Sequence, residues 1–303
     1  VLNRWWIFLK ERCLGSFLIT MPMGLAIHLL VQTTSGVTSP SLSAQSWVGA
    51  LILSLFYVLI RIVDDQSDAK SDSSLNPSRP LPSGRVLDRD LFFLKWSVLL
   101  LAGALNLLWP HALIPFALCA LALEPWARWI ELRDRLTKNR LIAILSQVWF
   151  NALVCFQVIA FFSWSQMNLP GMPLGLFTRP SLAIALWSNL IPLYLTDFCR
   201  KTRTAEDDKI LGDTYSSSLG LRGAASVAFG LLASHVAILL SMRATWQLSP
   251  LAIVLLLGVQ GVVGGALLGF WLSPNAKRAH LVQSVGWIYF LILNPIVIID
   301  LLI

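Results

Sequence analysis

Residues 61–85 carry an unusual set of charges: Arg61-Ile-Val-Asp64-Asp65-Gln-Ser-Asp68-Ala-Lys70-Ser-Asp72, then Asn76-Pro77-Ser-Arg79-Pro80-Leu-Pro82-Ser-Gly84-Arg85. Asp64, Asp68 and Asp72 are spaced i, i+4, i+8, which on a continuing helix puts all three on one face. Like charges at this spacing repel, so a bare helix gains nothing from them. A divalent cation turns the repulsion into a binding site. A solvated acidic helix end is the simpler reading of most such clusters. This one caps an apolar run of membrane length and is followed closely by Arg and Pro, which favours a site.

A second stretch matches it: Asp197-Phe-Cys-Arg200-Lys201-Thr-Arg203-Thr-Ala-Glu206-Asp207-Asp208-Lys209, continuing through Gly212-Asp213 to Thr214-Tyr215-Ser216. Carboxylates mixed with Arg and Lys suit one ligand class. Mg²⁺ prefers oxygen and commonly binds through one or two carboxylates plus substrate phosphate oxygens. Arg and Lys neutralise the remaining phosphate charge, Arg with a bidentate fork. A diphosphate held in this way leaves carbon more readily, because the charge that develops on it is already met. The other half of the substrate has to suit an apolar bundle, which fits a long hydrocarbon and not a sugar or nucleotide. The expected ligand is therefore a prenyl diphosphate.

The rest of the chain must position these stretches. The 303 residues are 56% hydrophobic and 13% charged, with mean hydropathy +0.70. A soluble domain carries roughly 25% charged residues. The composition predicts an all-α, polytopic protein of the lipid bilayer. Nine transmembrane helices are expected, at about 14–31, 44–63, 91–108, 111–127, 140–162, 181–199, 221–241, 249–272 and 281–302. With the N-terminus cytoplasmic, every Lys and Arg except Arg179 and Arg243 falls on the cytoplasmic side, a strong positive-inside bias. Every acid except Asp300 falls there too, which places the chemistry at the cytoplasmic mouth. The second span and the sixth both end in a long charged loop. An offset of four spans preserves orientation, so residues 1–303 read as one domain of two parallel four-helix pseudo-repeats, about 14–127 and 140–272, plus a ninth helix. The two loops would then face one cavity. The net charge of +7 follows from topology, and no basic stripe interleaved with aromatics suggests nucleic acid. Cys13, Cys119, Cys155 and Cys199 stand singly, without the spacing of a zinc site or a disulfide framework.

The first motif, Asp64-Asp65-x-x-Asp68-x-x-x-Asp72 with Pro77-x-Arg79-Pro80-Leu81-x-Ser83-Gly84, resembles the first signature of the UbiA superfamily of intramembrane prenyltransferases. The second resembles that of a subgroup with an acid-x-x-Arg-Lys-x-Arg pattern followed by Thr-Tyr-Ser and Gly. It departs from the clean Asp-x-x-x-Asp of many members, since Thr204 precedes Asp208 by four residues and Lys201 follows Asp197 by four. The resemblance implies nine helices around a central cavity, capped by the two loops, and Mg²⁺-dependent ionisation of an isoprenoid diphosphate. By position it makes Asp64, Asp68 and Asp72 the first metal set, with Asp65 a ligand or a hydrogen-bonding neighbour. Asp197 and Asp208 are the expected second set, with Asp207 beside them. Arg200, Lys201 and Arg203 are expected to hold diphosphate oxygens, together with Arg61, Arg79 and Lys138.

Candidates for the prenyl and acceptor pocket are Gln147 and Asn151, one turn apart, with Trp149, Phe150, Asn189 and Tyr194. Polar residues inside spans also tie helices together, and aromatics also pack. For Trp149, Phe150, Phe156, Phe161 and Phe162 the functional alternative is a π-rich wall around an allylic cation. The leading expectation is transfer of a prenyl group to an aromatic or other lipophilic acceptor. The alternative is a terpene cyclase, in which a double bond of the same chain captures the cation. A transporter or non-catalytic binding protein is the third reading.

Overall fold

The computed structural model describes residues 2–136, 149–167, 180–204 and 215–303. Among them there are helices and no strands. In order they are α1 (Leu2–Phe8), a π-helical segment (Leu9–Cys13), α2 (Leu14–Thr34), α3 (Ala44–Ser67), α4 (Ala69–Leu75) and α5 (Asp88–Leu107). A 3-10 turn (Pro110–Ala112) leads to α6 (Leu113–Leu136). Then come α7 (Trp149–Met167), α8 (Pro180–Arg200), α9 (Tyr215–Met242), α10 (Pro250–Leu272) and α11 (Ala276–Leu302). Among the described residues, seven helical stretches are long and apolar enough to cross a membrane: Leu2–Thr34, Ala44–Ser67, Asp88–Leu107, Leu113–Ile130, Leu219–Met242, Pro250–Leu272 and Ala276–Leu302. The protein is thus an all-helical, multi-pass membrane protein. Helices are the expected form, because lipid offers no partner for unpaired backbone groups. The fourth expected span, about 111–127, matches the membrane-length stretch Leu113–Ile130, and the helix that carries it continues to Leu136 with Pro125 inside it.

Helix starts are capped by the local sequence. The Ser43 amide donates to Ser46 Oγ at 2.7 Å at the start of α3. Ser249 Oγ accepts from the Ala252 amide at 3.2 Å with Pro250 in the first turn of α10, and Asn275 Oδ1 accepts from the Arg278 amide at 3.0 Å at the start of α11. Asp88 and Asp90 occupy the first turn of α5, where the helix dipole favours them.

The chain forms two compact units. One holds α1, the π segment, α2 as far as Leu25, and α3 to α7; the other holds the rest of α2 and α8 to α11. In the first unit, small residues let helices approach closely. A Cβ built on Gly24 would lie 2.5 Å from Ala50 Cα, and one on Gly49 would lie 2.3 Å from the Phe162 ring. Thr20 Oγ1 donates to Ser54 Oγ at 2.8 Å beside the first of these contacts. Gln157 Nε2 donates to Asn106 Oδ1 at 3.1 Å, joining α7 to α5 in the interior. In the second unit, Gly286 packs against Cys199, and Thr196 Oγ1 donates to the Gly286 carbonyl at 3.2 Å. A buried polar knot joins α9, α10 and α11: His235 Nδ1 lies 2.5 Å from the Tyr289 hydroxyl and 2.9 Å from Gln260 Nε2.

The approach at Gly24 meets backbone, which cannot swing aside. Gly24→Val is expected to destabilise the protein by about 2 kcal/mol through overpacking. The check is the thermal unfolding midpoint in detergent, and an unchanged midpoint would remove this contact from the core.

Candidate functional site

The first motif grows out of α3. Its hydrogen-bond ladder passes through the acidic motif at the motif's own spacing. The Asp68 amide donates to the Asp64 carbonyl at 2.9 Å, Asp72 to Asp68 at 2.8 Å, and Asn76 to Asp72 at 2.8 Å. The helical continuation needed to align the three acids is therefore present. It is broken only by the change from α3 to α4 at Asp68, where φ is −84° and ψ is −6°.

The four acids nevertheless have different surroundings. Asp65 is 4% exposed, and both of its oxygens are held by Arg12, with Nε to Oδ2 at 2.6 Å and Nη2 to Oδ1 at 2.7 Å. Arg61, one turn back, adds an ion pair to Oδ1 at 3.6 Å. Asp72 is 5% exposed; Arg79 pairs with one oxygen and Asn76 Nδ2 donates to the other at 2.8 Å. Asp64 is half-buried and Asp68 is exposed. The pair one turn apart, Asp64 and Asp68, presents the carboxylates best placed for a ligand from solvent.

The loop after α4 is a folded hairpin of turns. The Arg79 amide donates to the Asn76 carbonyl at 3.0 Å, Ser83 to Arg79 at 3.0 Å and Val86 to Pro80 at 3.0 Å. Gly84 closes it at φ +74°, a left-handed conformation that favours glycine. Arg85 grips Glu11 with Nη1 to Oε1 at 2.5 Å and Nη2 to Oε2 at 2.9 Å.

The second motif lies in the other unit. Asp197 sits in the last turn of α8. It accepts from Arg200 Nη2 at 2.7 Å and from the Tyr215 hydroxyl at 2.8 Å, with Lys201 Nζ at 3.5 Å. Lys201 also lies 5.4 Å from the centre of the Tyr215 ring, and that ring stacks on Phe198 at 3.7 Å. The Arg203 amide donates to Ser216 Oγ at 2.9 Å, which ties the end of this segment to the start of α9. Asp197 is thus surrounded by cations and by a hydroxyl donor, and it organises Arg200 and Lys201.

No protein-family model matches the chain, and no curated protein matches it in sequence. Among solved structures it is similar to one from work on digeranylgeranylglyceryl phosphate synthase in membranes. The TM-score is 0.65 and the identity 18%, over 99% of each chain. The two chains share one fold. The resemblance drawn from the two acidic motifs is thereby supported at the level of the fold.

Several expected site residues fall elsewhere. Lys138, Gln147, Asp207 and Asp208 lie outside the described residues. Phe150 is fully buried and stacks on Trp126 at 4.6 Å. Phe161 packs against Trp109 at 5.2 Å, and Phe162 fills the space beside Gly49. These rings are held by packing. Trp149 is 42% exposed and Asn151 half-buried. Asn189 is buried and donates to the Ala185 carbonyl of its own helix at 2.9 Å, while Tyr194, further along α8, is half-buried. In the first unit a cavity of about 450 Å³, lined by Val63, Gln66, Lys95, Glu124 and Arg128, lies on another face of α3 from Asp64 and Asp68.

Two residues were missed as site members. Arg12 reads in sequence as one more positive-inside charge, although it stands directly before an apolar run. Tyr215 was visible in the Thr-Tyr-Ser motif, but nothing in the spacing showed that it reaches back to Asp197.

Donor chemistry tests whether Mg²⁺ fits. Among the described residues no group of three or more His, Cys, Asp or Glu could hold a metal ion. Asp64 and Asp68 supply hard oxygen ligands from successive turns, which suits a cation that completes its shell with water and phosphate oxygens. The residues fit such an ion bound together with substrate. They do not form an all-protein cage.

Two stability effects follow. Arg79→Ala leaves the buried Asp72 without its cation and is expected to cost about 2 kcal/mol, discounted from a fully buried pair because Arg79 is partly exposed. Tyr215→Phe is expected to cost about 1.5 kcal/mol, the range of a hydrogen bond to a charged group. Thermal midpoints in detergent measure both, and wild-type values would contradict the pairings.

Proposed function

We propose that this protein is a prenyltransferase that ionises a prenyl diphosphate with Mg²⁺ and transfers the prenyl group to a lipophilic acceptor. The observation that carries this reading is the pair Asp64 and Asp68, one hydrogen-bonded turn apart at the end of a membrane-length helix, in a chain with the fold of a membrane synthase. The proposal includes nine membrane crossings, a cytoplasmic N-terminus and a site at the cytoplasmic face.

In this reading Asp64 and Asp68 hold the metal, and Asp72 and Asp65 keep the arginines around them in place. Bound Mg²⁺ supplies electrostatic stabilisation of the departing diphosphate. Arg200 and Lys201, gathered by Asp197, receive diphosphate oxygens, with Arg61, Arg79 and Arg203 adding positive charge. Asp207, Asp208 and Lys138 are assigned to the same chemistry by their place in the motifs. Positive charge near the leaving group lowers the barrier to breaking the carbon–oxygen bond, because it strengthens as charge develops. The apolar interior excludes water from the allylic cation, which favours capture by an acceptor over hydrolysis. The likeness to a digeranylgeranylglyceryl phosphate synthase adds prenylated glyceryl phosphates to the acceptor classes, beside aromatic rings.

The test uses the purified protein, Mg²⁺ and prenyl diphosphates of graded length, with and without aromatic and glyceryl phosphate acceptors, read by mass spectrometry. A prenylated acceptor and diphosphate release that depends on acceptor are expected. A cyclised hydrocarbon or alcohol formed without acceptor would replace transfer by cyclisation. No diphosphate release with any chain would sink the enzyme reading. Asp68→Ala is expected to lower turnover at least a hundredfold with the fold retained. Removing Mg²⁺ with EDTA is expected to stop it, and restoring Mg²⁺ to recover it.

A further inference from the structure

The first turns of the first helical stretch are attached at three places, to α3, to α5 and to the loop between them. Arg4 pairs with Asp90 at 3.2 Å, Glu11 with Arg85 at 2.5 Å, and Arg12 with Asp65 at 2.6 Å. The last contact differs from the other two. Its carboxylate is 5% exposed and its guanidinium 13%, and two parallel bonds join them. Arg12 lies in the π-helical segment, where the Leu14 amide reaches back to the Leu9 carbonyl in an i→i+5 turn. Such a turn changes the angular spacing of side chains, and π segments concentrate at functional sites. Neighbours of Arg12 in the chain serve other ends: Phe8 and Cys13 are buried, and Glu11 points to Arg85.

Asp65 occupies the position between the two carboxylates best placed for metal. A bidentate guanidinium fixes the carboxylate in position and plane, which a point charge does not. Fixing Asp65 fixes the last turn of α3, and with it Asp64 on one side and the Asp68 junction on the other.

We propose that Arg12 is a positioning residue that holds Asp65 out of the metal's coordination shell and so sets the geometry and affinity of Asp64 and Asp68. The proposal rests on the reading of those two residues as metal ligands. It assigns the π segment a function: the N-terminal segment aligns the first loop of the site and does more than tether the chain to the membrane surface.

The alternative is that Asp65 is itself a ligand, and the two ideas predict opposite signs. If Arg12 positions the site, Arg12→Gln weakens metal binding. If Asp65 is a ligand masked by Arg12, the same change releases it and tightens binding. The experiment is Mn²⁺ titration of the whole protein in detergent at a fixed concentration of inorganic diphosphate, whose own Mn²⁺ binding is measured separately, following free Mn²⁺ by electron paramagnetic resonance. The expected result is a rise in Kd of about tenfold for Arg12→Gln. A smaller rise is expected for Arg12→Lys, which keeps the charge and loses the fork. Arg12→Gln combined with Asp65→Asn is expected to be no worse than either change alone, as for residues acting as one unit. Arg4→Ala, which loosens the same segment at its other end, is expected to leave Kd unchanged. Unchanged or tighter binding in Arg12→Gln overturns the proposal, as does a wild-type protein that binds no Mn²⁺. Should Arg12→Gln fail to give a monodisperse protein, Arg12→Lys carries the test, and wild-type affinity in it overturns the proposal. Arg12-dependent Mn²⁺ binding in a protein that releases no diphosphate would sink the enzymatic reading and leave this one standing.

Discussion

Charge that leaves water must be paired, and this constraint sorts the acids of the candidate site. Asp65 and Asp72 are nearly inaccessible, and each has an arginine on it. Removing an ion from water costs several kcal/mol even after relaxation, and only close, hydrogen-bonded partners offset that. Asp64 is half-buried and Asp68 exposed, so neither carries the full cost of leaving water. One motif thus holds two buried acids and two more open ones. The division follows from burial, since all four residues have the same side chain.

The same rule governs the second loop. Asp197 is only partly exposed and draws Arg200, Lys201 and the Tyr215 hydroxyl to itself. Among the described residues, the aspartate neutralises only part of the charge that Arg200 and Lys201 bring to it. Phe198 stacks flat on Tyr215 and fixes the ring that carries the hydroxyl. An aromatic contact therefore sets the position of a hydrogen-bond donor at the end of a helix.

Much of this architecture is legible in the amino-acid order. Long apolar runs become helices because lipid leaves no other choice, and the i, i+4, i+8 acids do ride on one hydrogen-bonded ladder. The partners of those acids are not legible. Arg12 stands far from Asp65 in the chain, and only the packing of the first helix against α3 brings them together. Period and composition leave open whether a ring faces a cavity or packs against a neighbouring helix, and for Phe162 the structure shows packing against Gly49. The fourth span shows a further limit: hydropathy marks the apolar stretch that ends at Ile130 but not the helix itself, which continues to Leu136.

Gly220 has a φ of 74° and a ψ of 162°, a break in the helical path just inside the start of α9. Beyond it lies the apolar stretch of a membrane span, and before it the short turn that carries Tyr215 and Ser216. An unbroken helix would tie the direction of the Tyr215–Ser216 turn to that of the span. The change of path at Gly220 separates the two: Tyr215 and Ser216 meet Asp197 and the Arg203 amide at the end of α8, while the rest of α9 runs on as an apolar helix. One glycine thus stands between the polar contacts of the charge cluster and the apolar contacts of the span.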